Sequence, residues 1–279
     1  MENFFDLSLT LDLLRYDFVW QMLIAGAVLG VVAGLLGPLV VTRKMAFAVH
    51  GTSELAFTGG AAALLVGVGV GYGALAGSVV AALLLGLLSR RDSDRDSVIG
   101  AILAFGLGLG VLFLYLYKGR SANKFGLLTG QIVSVGSTDL WLLIGSSVAV
   151  LVVLAVIYRP LHFASVDPAV ATARGVPVRS LAVVFAVLVG VATALSVQVV
   201  GALLVLSLMI TPAAAASRVT ASPVKATALA VVFAEAAVLL GILLSLAPGV
   251  PVSAFVTGVS FLIYLVCRVL GGARSRADA

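Results

Sequence analysis

"AVLVVLAVIY", residues 149–158, decides what kind of protein this is. A membrane β-barrel would need short segments alternating between apolar and polar side chains, whereas this run is apolar on every face. Runs of the same kind recur along all 279 residues, of which 62% are hydrophobic and 10% charged, with a mean hydropathy of +1.22. Those values lie outside the range of soluble globular domains. A helical crossing takes about 20 residues, so the chain has room for roughly eight to ten. The expectation is an all-α, polytopic membrane protein forming one transmembrane domain over 1–279.

Apolar stretches between charge and turn clusters place nine spans near 18–41, 46–71, 74–89, 98–117, 138–158, 181–198, 200–216, 226–246 and 252–270. The stretches 74–89 and 200–216 are short or interrupted, the latter by Pro212. Lys and Arg near span ends stay on the cytoplasmic side. Putting the loop after the first span there places thirteen basic residues on that side, from Arg43 and Lys44 to Arg274 and Arg276, against Arg15, Lys118, Arg120 and Lys124 on the other. An external N-terminal segment 1–17, a cytoplasmic tail 271–279 and a net charge of +5 follow without invoking nucleic acid. Residues 1–17 are mixed and acidic, unlike a cleavable signal peptide. The polar stretch 90–97 reads as a solvated loop. The one cysteine, Cys267, permits neither a disulfide within the chain nor a multi-cysteine metal cluster, which leaves N and O ligands for any metal chemistry.

Glycines four apart, Gly26, Gly30 and Gly34 and then Gly106 and Gly110, put small residues on one helix face and read as packing seams. "GVGVGYG" at 67–73 lacks the strand and helix context of a nucleotide loop, and no GxxxxGK followed by Ser or Thr occurs. The chain is therefore expected to be no enzyme, to hold no cofactor and not to hydrolyse ATP by itself.

The longest polar insertion on the cytoplasmic side is "RPLHFASVDPAVATARGVPVRS", 159–180. Asp167 can cap a helix, Pro168 suits its first position and Gly175 its left-handed end, with Arg174 where the dipole favours a cation. Such a helix is either a plain connector on the membrane surface or a coupling element that fits a groove on a partner. The pattern formed by Asp167, Pro168, Ala171 and Gly175 resembles the ATPase-contacting loop of ABC importer permeases.

"MAFAVHGTSELAFTGG", 45–60, places His50 and Glu54 four apart at the head of an apolar segment. Residues so spaced share one helix face with Cβ atoms about 5–6 Å apart, so both can address the same point. With the helix starting at Ala46, they lie about 6 and 12 Å along it, Glu54 approaching the midplane of a roughly 30 Å core. A carboxylate there costs at least about 2–3 kcal/mol, which a cation or a water-filled path could offset. Imidazole with carboxylate suits Zn²⁺ and tolerates Mn²⁺ or Fe²⁺. The same pair could instead bond to each other, or to backbone groups, at a helix contact. Glu235 either lines a path or is an internally bonded structural acid. Gln198 and Thr211 read as packing or helix-end residues, and His162 as an interface residue.

Several pieces, in order, resemble the zinc/manganese (metal-ion) ABC transporter permease family. They are "GPLVVTRKMAFAVHGTSELAFTGGAAALLVG" at 37–67, the segment 159–180, "VQVVGALLVLSLMITPAAAA" at 197–216 and "APGVPVSAFVTGVSFLIYLV" at 247–266, and the likeness spans roughly 18–268. The family's second span carries D-A-L-S-H-A, whose Asp and His form a metal-coordinating pair on the translocation path. His50 stands where the family has Asp and Glu54 where it has His, so carboxylate and imidazole have exchanged places. The resemblance implies a permease subunit importing Zn²⁺ or Mn²⁺, working as a homodimer with a separate ABC ATPase and an extracytoplasmic metal-binding protein in a prokaryotic plasma membrane. A self-contained proton- or Na⁺-coupled carrier and an ABC permease for a metal chelate are the alternatives.

Overall fold

A computed structural model describes residues 7–88, 95–120, 124, 126–127, 137–202 and 205–277. The described residues form twelve α-helices: α1 (Leu7–Leu13), α2 (Asp17–Thr42), α3 (Ala46–Val66), α4 (Val70–Leu88), α5 (Arg95–Leu116), α6 (Ser137–Val166), α7 (Pro168–Ala173), α8 (Val178–Val200), α9 (Val205–Met209), α10 (Thr211–Val219), α11 (Pro223–Leu246) and α12 (Val252–Ala277). Residues 90–94 of the expected loop 90–97 lie outside the described residues, and Arg95–Ser97 already belong to α5.

Among the described residues six helices, α2, α5, α6, α8, α11 and α12, are long and apolar enough to cross a membrane. The other three expected spans are of a different kind. Helix α3 has 21 residues, about 31 Å of helix, yet is not among the apolar six. The apolar part of α4 is shorter, Val70–Leu85. The stretch expected as one span over 200–216 is broken into α9 and α10 at Ile210. Pro212, in the first turn of α10, has no N–H for the Leu208 carbonyl, and so the ladder is interrupted there.

Two helices outrun their expected ends. Helix α6 continues from the apolar run through Pro160 to Val166, absorbing the first residues of the 159–180 segment. Its 30 residues make about 45 Å of helix, some 15 Å more than a hydrocarbon core needs. Helix α12 runs on to Ala277, so most of the stretch expected as a tail is helical.

The glycines form the seams their spacing foretells. A Cβ on Gly26 would meet Val238 and Ile242, one on Gly30 would come within 2.6 Å of Glu235 Oε1, and one on Gly34 within 2.7 Å of the Val231 backbone nitrogen. Descending α2 thus climbs α11, at a separation only hydrogens allow. Gly106 and Gly110 of α5 do the same against Glu54, Leu55, Phe57 and Thr58 of α3, while Gly73 and Gly77 of α4 close on Gly59 and the Leu55 carbonyl. Helix α3 is therefore walled by α4 on one flank and α5 on another, with α8 and α9 also against it. By contrast α5, α6 and α12 turn much of their surface outward, with Tyr115 83% and Trp141 72% exposed near helix ends, as interfacial aromatics are.

Candidate functional site

Helix α3 holds the ionisable pair that the sequence singles out, and its packing explains how the chain accommodates it. Of its 21 residues, Ala48, Val49, the run from Gly51 to Thr58, Gly60, Ala61 and Ala63 are buried. The small and hydroxyl residues supply their own backbone partners. Thr52 donates to the Ala48 carbonyl at 2.8 Å and Ser53 to that of His50 at 2.8 Å. The Thr58 hydroxyl lies 2.6 Å from the Gly106 carbonyl of α5 and 2.7 Å from the Glu54 carbonyl, with one proton to share between them. Polar atoms of α3 are thus satisfied locally, as a polar helix in a dry interior requires.

His50 and Glu54 are the exceptions. Glu54 is 4% exposed, and neither a hydrogen bond nor an ion pair engages its carboxylate among the described residues. His50 Nδ1 is buried without a hydrogen-bond partner. The two groups sit one turn apart on one helix, and they do not neutralise each other through a hydrogen bond. A buried polar atom left open, as His50 Nδ1 is, is uncommon and costs about 1–3 kcal/mol. A lone pair on nitrogen and a carboxylate, both unengaged, form two arms of a cation site. Among the described residues no three of His, Cys, Asp and Glu come together, so further ligands would be backbone, hydroxyl or water oxygens, or groups from a second copy.

Glu235 does not join this pair. It lies on α11 against Gly30 of α2, with Oε1 buried and unbonded. His162 is stacked on Tyr158 within α6, ring centroids 6.0 Å apart and planes 4° apart. Thr211 opens α10, and the side chain of Gln198 lies outside the described residues.

The segment after α6 folds as its sequence foretells. Asp167 is extended (φ −141°, ψ 94°) and its carboxylate accepts from the Val170 N–H at 2.9 Å, ahead of Pro168. Gly175 takes φ 79°, with the Val176 N–H reaching the Ala171 carbonyl and the Gly175 N–H that of Thr172, which together make a Schellman ending. One residue behaves otherwise. Ala171, one of the four residues of the coupling pattern, is 0% exposed, its methyl packed inside this chain. The face turned outward carries Pro168, Ala169, Val170, Thr172, Ala173 and Arg174.

In sequence Arg43 is one of the orienting charges and half of the basic pair before α3; its partners appear only in the fold. Its Nη1 donates to Ser165 Oγ at 3.0 Å and its guanidinium stands 5.4 Å from the centre of the Phe185 ring. Only the fold brings residues 122 positions apart together.

Comparison with known proteins extends this architecture. Residues 15–271 match the ABC 3 transport family. The chain is similar to the manganese transport system membrane protein MntC of Halalkalibacterium halodurans, with 30% identity over 210 residues, 75% of this chain and 72% of that protein. A probable metal transport system membrane protein of Thermotoga maritima is 30% identical over 262 residues, 92% of each. Among solved structures, PsaBC from Streptococcus pneumoniae in complex with Fab superposes with a TM-score of 0.83 at 26% identity, covering 92% of this chain and 94% of that one. The family match takes in every helix from α2 to most of α12, the His50–Glu54 pair on α3 and the capped helix after α6, and so this chain belongs to the ABC 3 transport family.

Proposed function

We propose that His50 and Glu54 are two of the ligands through which this permease passes a divalent transition metal, Mn²⁺ foremost, with Zn²⁺ and Fe²⁺ as ions the same donors accept. The chain is the membrane permease of an ABC metal-import system, a transport subunit and not an enzyme. The observation that carries the assignment of the pair is its isolation: a buried imidazole nitrogen without a hydrogen-bond partner and, one turn on, a glutamate residue 4% exposed, both on α3. Such groups are costly in a dry interior unless a cation visits them. Incomplete coordination suits a transporter, which has to release what it binds. The names of MntC and of the Thermotoga protein support a metal cargo and, for the former, manganese.

The complex we envisage is a homodimer of this chain with two copies of a separate ABC ATPase and an extracytoplasmic metal-binding protein. Helix α7 and the outward face of Val170 and Arg174 meet the ATPase. The thirteen-to-four division of basic residues puts that end in the cytoplasm and the N-terminus outside, across a prokaryotic plasma membrane. Glu235 is read as a structural acid of the α2–α11 seam.

The test is reconstitution with the ATPase encoded beside it, measuring uptake of radioactive Mn²⁺ and Zn²⁺ with and without ATP. ATP-dependent uptake that falls on changing His50 or Glu54 is the expected result. Uptake by the chain alone without nucleotide would make it a self-contained carrier.

A further inference from the structure

Two ends of the molecule that an importer has to connect are the helix that meets its motor and the helix that holds its cargo. One side chain, Arg43, bridges the segments that lead into each. Arg43 closes α2, three residues before Ala46 opens α3, and Ser165 lies two residues before the Asp167 cap of α7. Arg43 Nη1 donates to Ser165 Oγ at 3.0 Å. The Ser165 hydroxyl in turn donates to the Leu161 carbonyl at 2.6 Å, which leaves its lone pairs for the guanidinium. Phe185 of α8, 0% exposed, lies beneath the charge at 5.4 Å.

The turn that carries Arg43 is stiff. The Met45 N–H reaches the Val40 carbonyl at 2.9 Å and the Lys44 N–H that of Val41 at 3.1 Å, a Schellman ending with Lys44 at φ 54°. Glycine ordinarily fills that left-handed position. Displacement of Arg43 is therefore displacement of the start of α3, Ala46, four residues before His50.

Resting on the reading of this chain as an ATP-driven permease with α7 at the ATPase, we propose that Arg43 is the positioning residue that transmits movement of α7 to α3, through its bond to Ser165 and its seat on Phe185. Planar and charged at all accessible pH, guanidinium can hold the hydroxyl and lie over the ring together; a lysine ammonium is a point charge on a flexible stem.

The experiment uses the permease reconstituted with its ATPase and reads Mn²⁺ moved per ATP hydrolysed, for wild type, Arg43→Ala, Arg43→Lys, Ser165→Ala and the double variant Arg43→Ala with Ser165→Ala. Expected are an assembled complex that still hydrolyses ATP, a fall of tenfold or more in Mn²⁺ per ATP for Arg43→Ala, a smaller fall for Ser165→Ala, incomplete rescue by lysine, and a double variant no worse than Arg43→Ala. A wild-type ratio in Arg43→Ala, or losses that multiply in the double variant, would overturn the link. Should Arg43→Ala fail to assemble, Ser165→Ala, which loses a single oxygen, decides: an unchanged ratio overturns the proposal and a reduced one supports it. A wild-type complex that moves no metal with ATP would overturn the underlying functional reading instead.

Discussion

Changing Glu54 to glutamine keeps the size of the side chain and removes only its charge, and the structure gives the consequence two opposite signs. Glu54 is 4% exposed, with no hydrogen bond or ion pair on its carboxylate among the described residues. A buried polar group without a partner costs about 1–3 kcal/mol, and a charged one more. Without metal, Glu54→Gln should therefore be at least as stable as the wild type and up to about 3 kcal/mol more so. With metal the order reverses. An ion that binds only the folded wild type adds about 2.7 kcal/mol when present at 100 times its Kd, and the variant should lose that increment. Uptake should fall tenfold or more, equivalent to about 1.4 kcal/mol or more of lost binding. Thermal unfolding of the purified permease with and without Mn²⁺, together with radioactive Mn²⁺ and Zn²⁺ uptake normalised to assembled complex, reads both effects. His50→Asp combined with Glu54→His, which restores the order of ligands seen in the resembling family, should recover part of the activity. Wild-type uptake of both metals by Glu54→Gln, or an undiminished stabilisation by Mn²⁺, would refute the ligand role.

Helix α7 separates two kinds of damage. Val170, 44% exposed, should tolerate glutamate in the fold and lose association with the ATPase, whereas Ala171→Arg forces a guanidinium into a fully buried methyl's place and should cost about 3 kcal/mol or more of stability; co-purification and thermal unfolding tell them apart. For topology, a reporter after Ala279 should be cytoplasmic and one at Lys124 external; labelling of Lys124 only from the cytoplasmic side would show that the crossings had been miscounted.

How far the fold could be read in advance differs from helix to helix. Gly26, Gly30 and Gly34 announce the α2–α11 seam because a four-residue spacing keeps hydrogens on one face, and the partner helix needs no sequence signal of its own. Asp167, Pro168 and Gly175 announce α7 because caps act within a few residues. Length is harder. Arg159, Pro160 and His162 read as the end of the span, yet α6 continues to Val166, since a helix already nucleated adds residues at little cost and Pro160 is tolerated within it. The break at Ile210 was legible only as Pro212, whose effect depends on whether neighbours compensate. At the site, the spacing of His50 and Glu54 fixes their common face, but that His50 Nδ1 is buried without a partner depends on the helices packed against α3, which the pair's own segment does not describe. Arg43 was invisible for the same reason, since Ser165 and Phe185 lie far along the chain.

The polarity of α3 also bears on how the protein is made. A helix enters the bilayer from the translocation channel according to its own hydrophobicity, and a carboxylate near its centre weighs against entry by about 3 kcal/mol. Helix α3 is not among the six segments apolar enough to cross unaided, whereas α2 before it is. Gly106 of α5, which packs against the backbone and Cβ of Glu54, is synthesised some fifty residues later. We infer that α3 is held in the channel or at the interface until α5 emerges, and that α2 to α5 are released into lipid as one unit. Nascent chains truncated after Leu88 should accordingly leave α3 accessible to aqueous reagents, and chains truncated beyond Leu116 should not; equal protection of both would mean that α3 inserts without waiting for its neighbour.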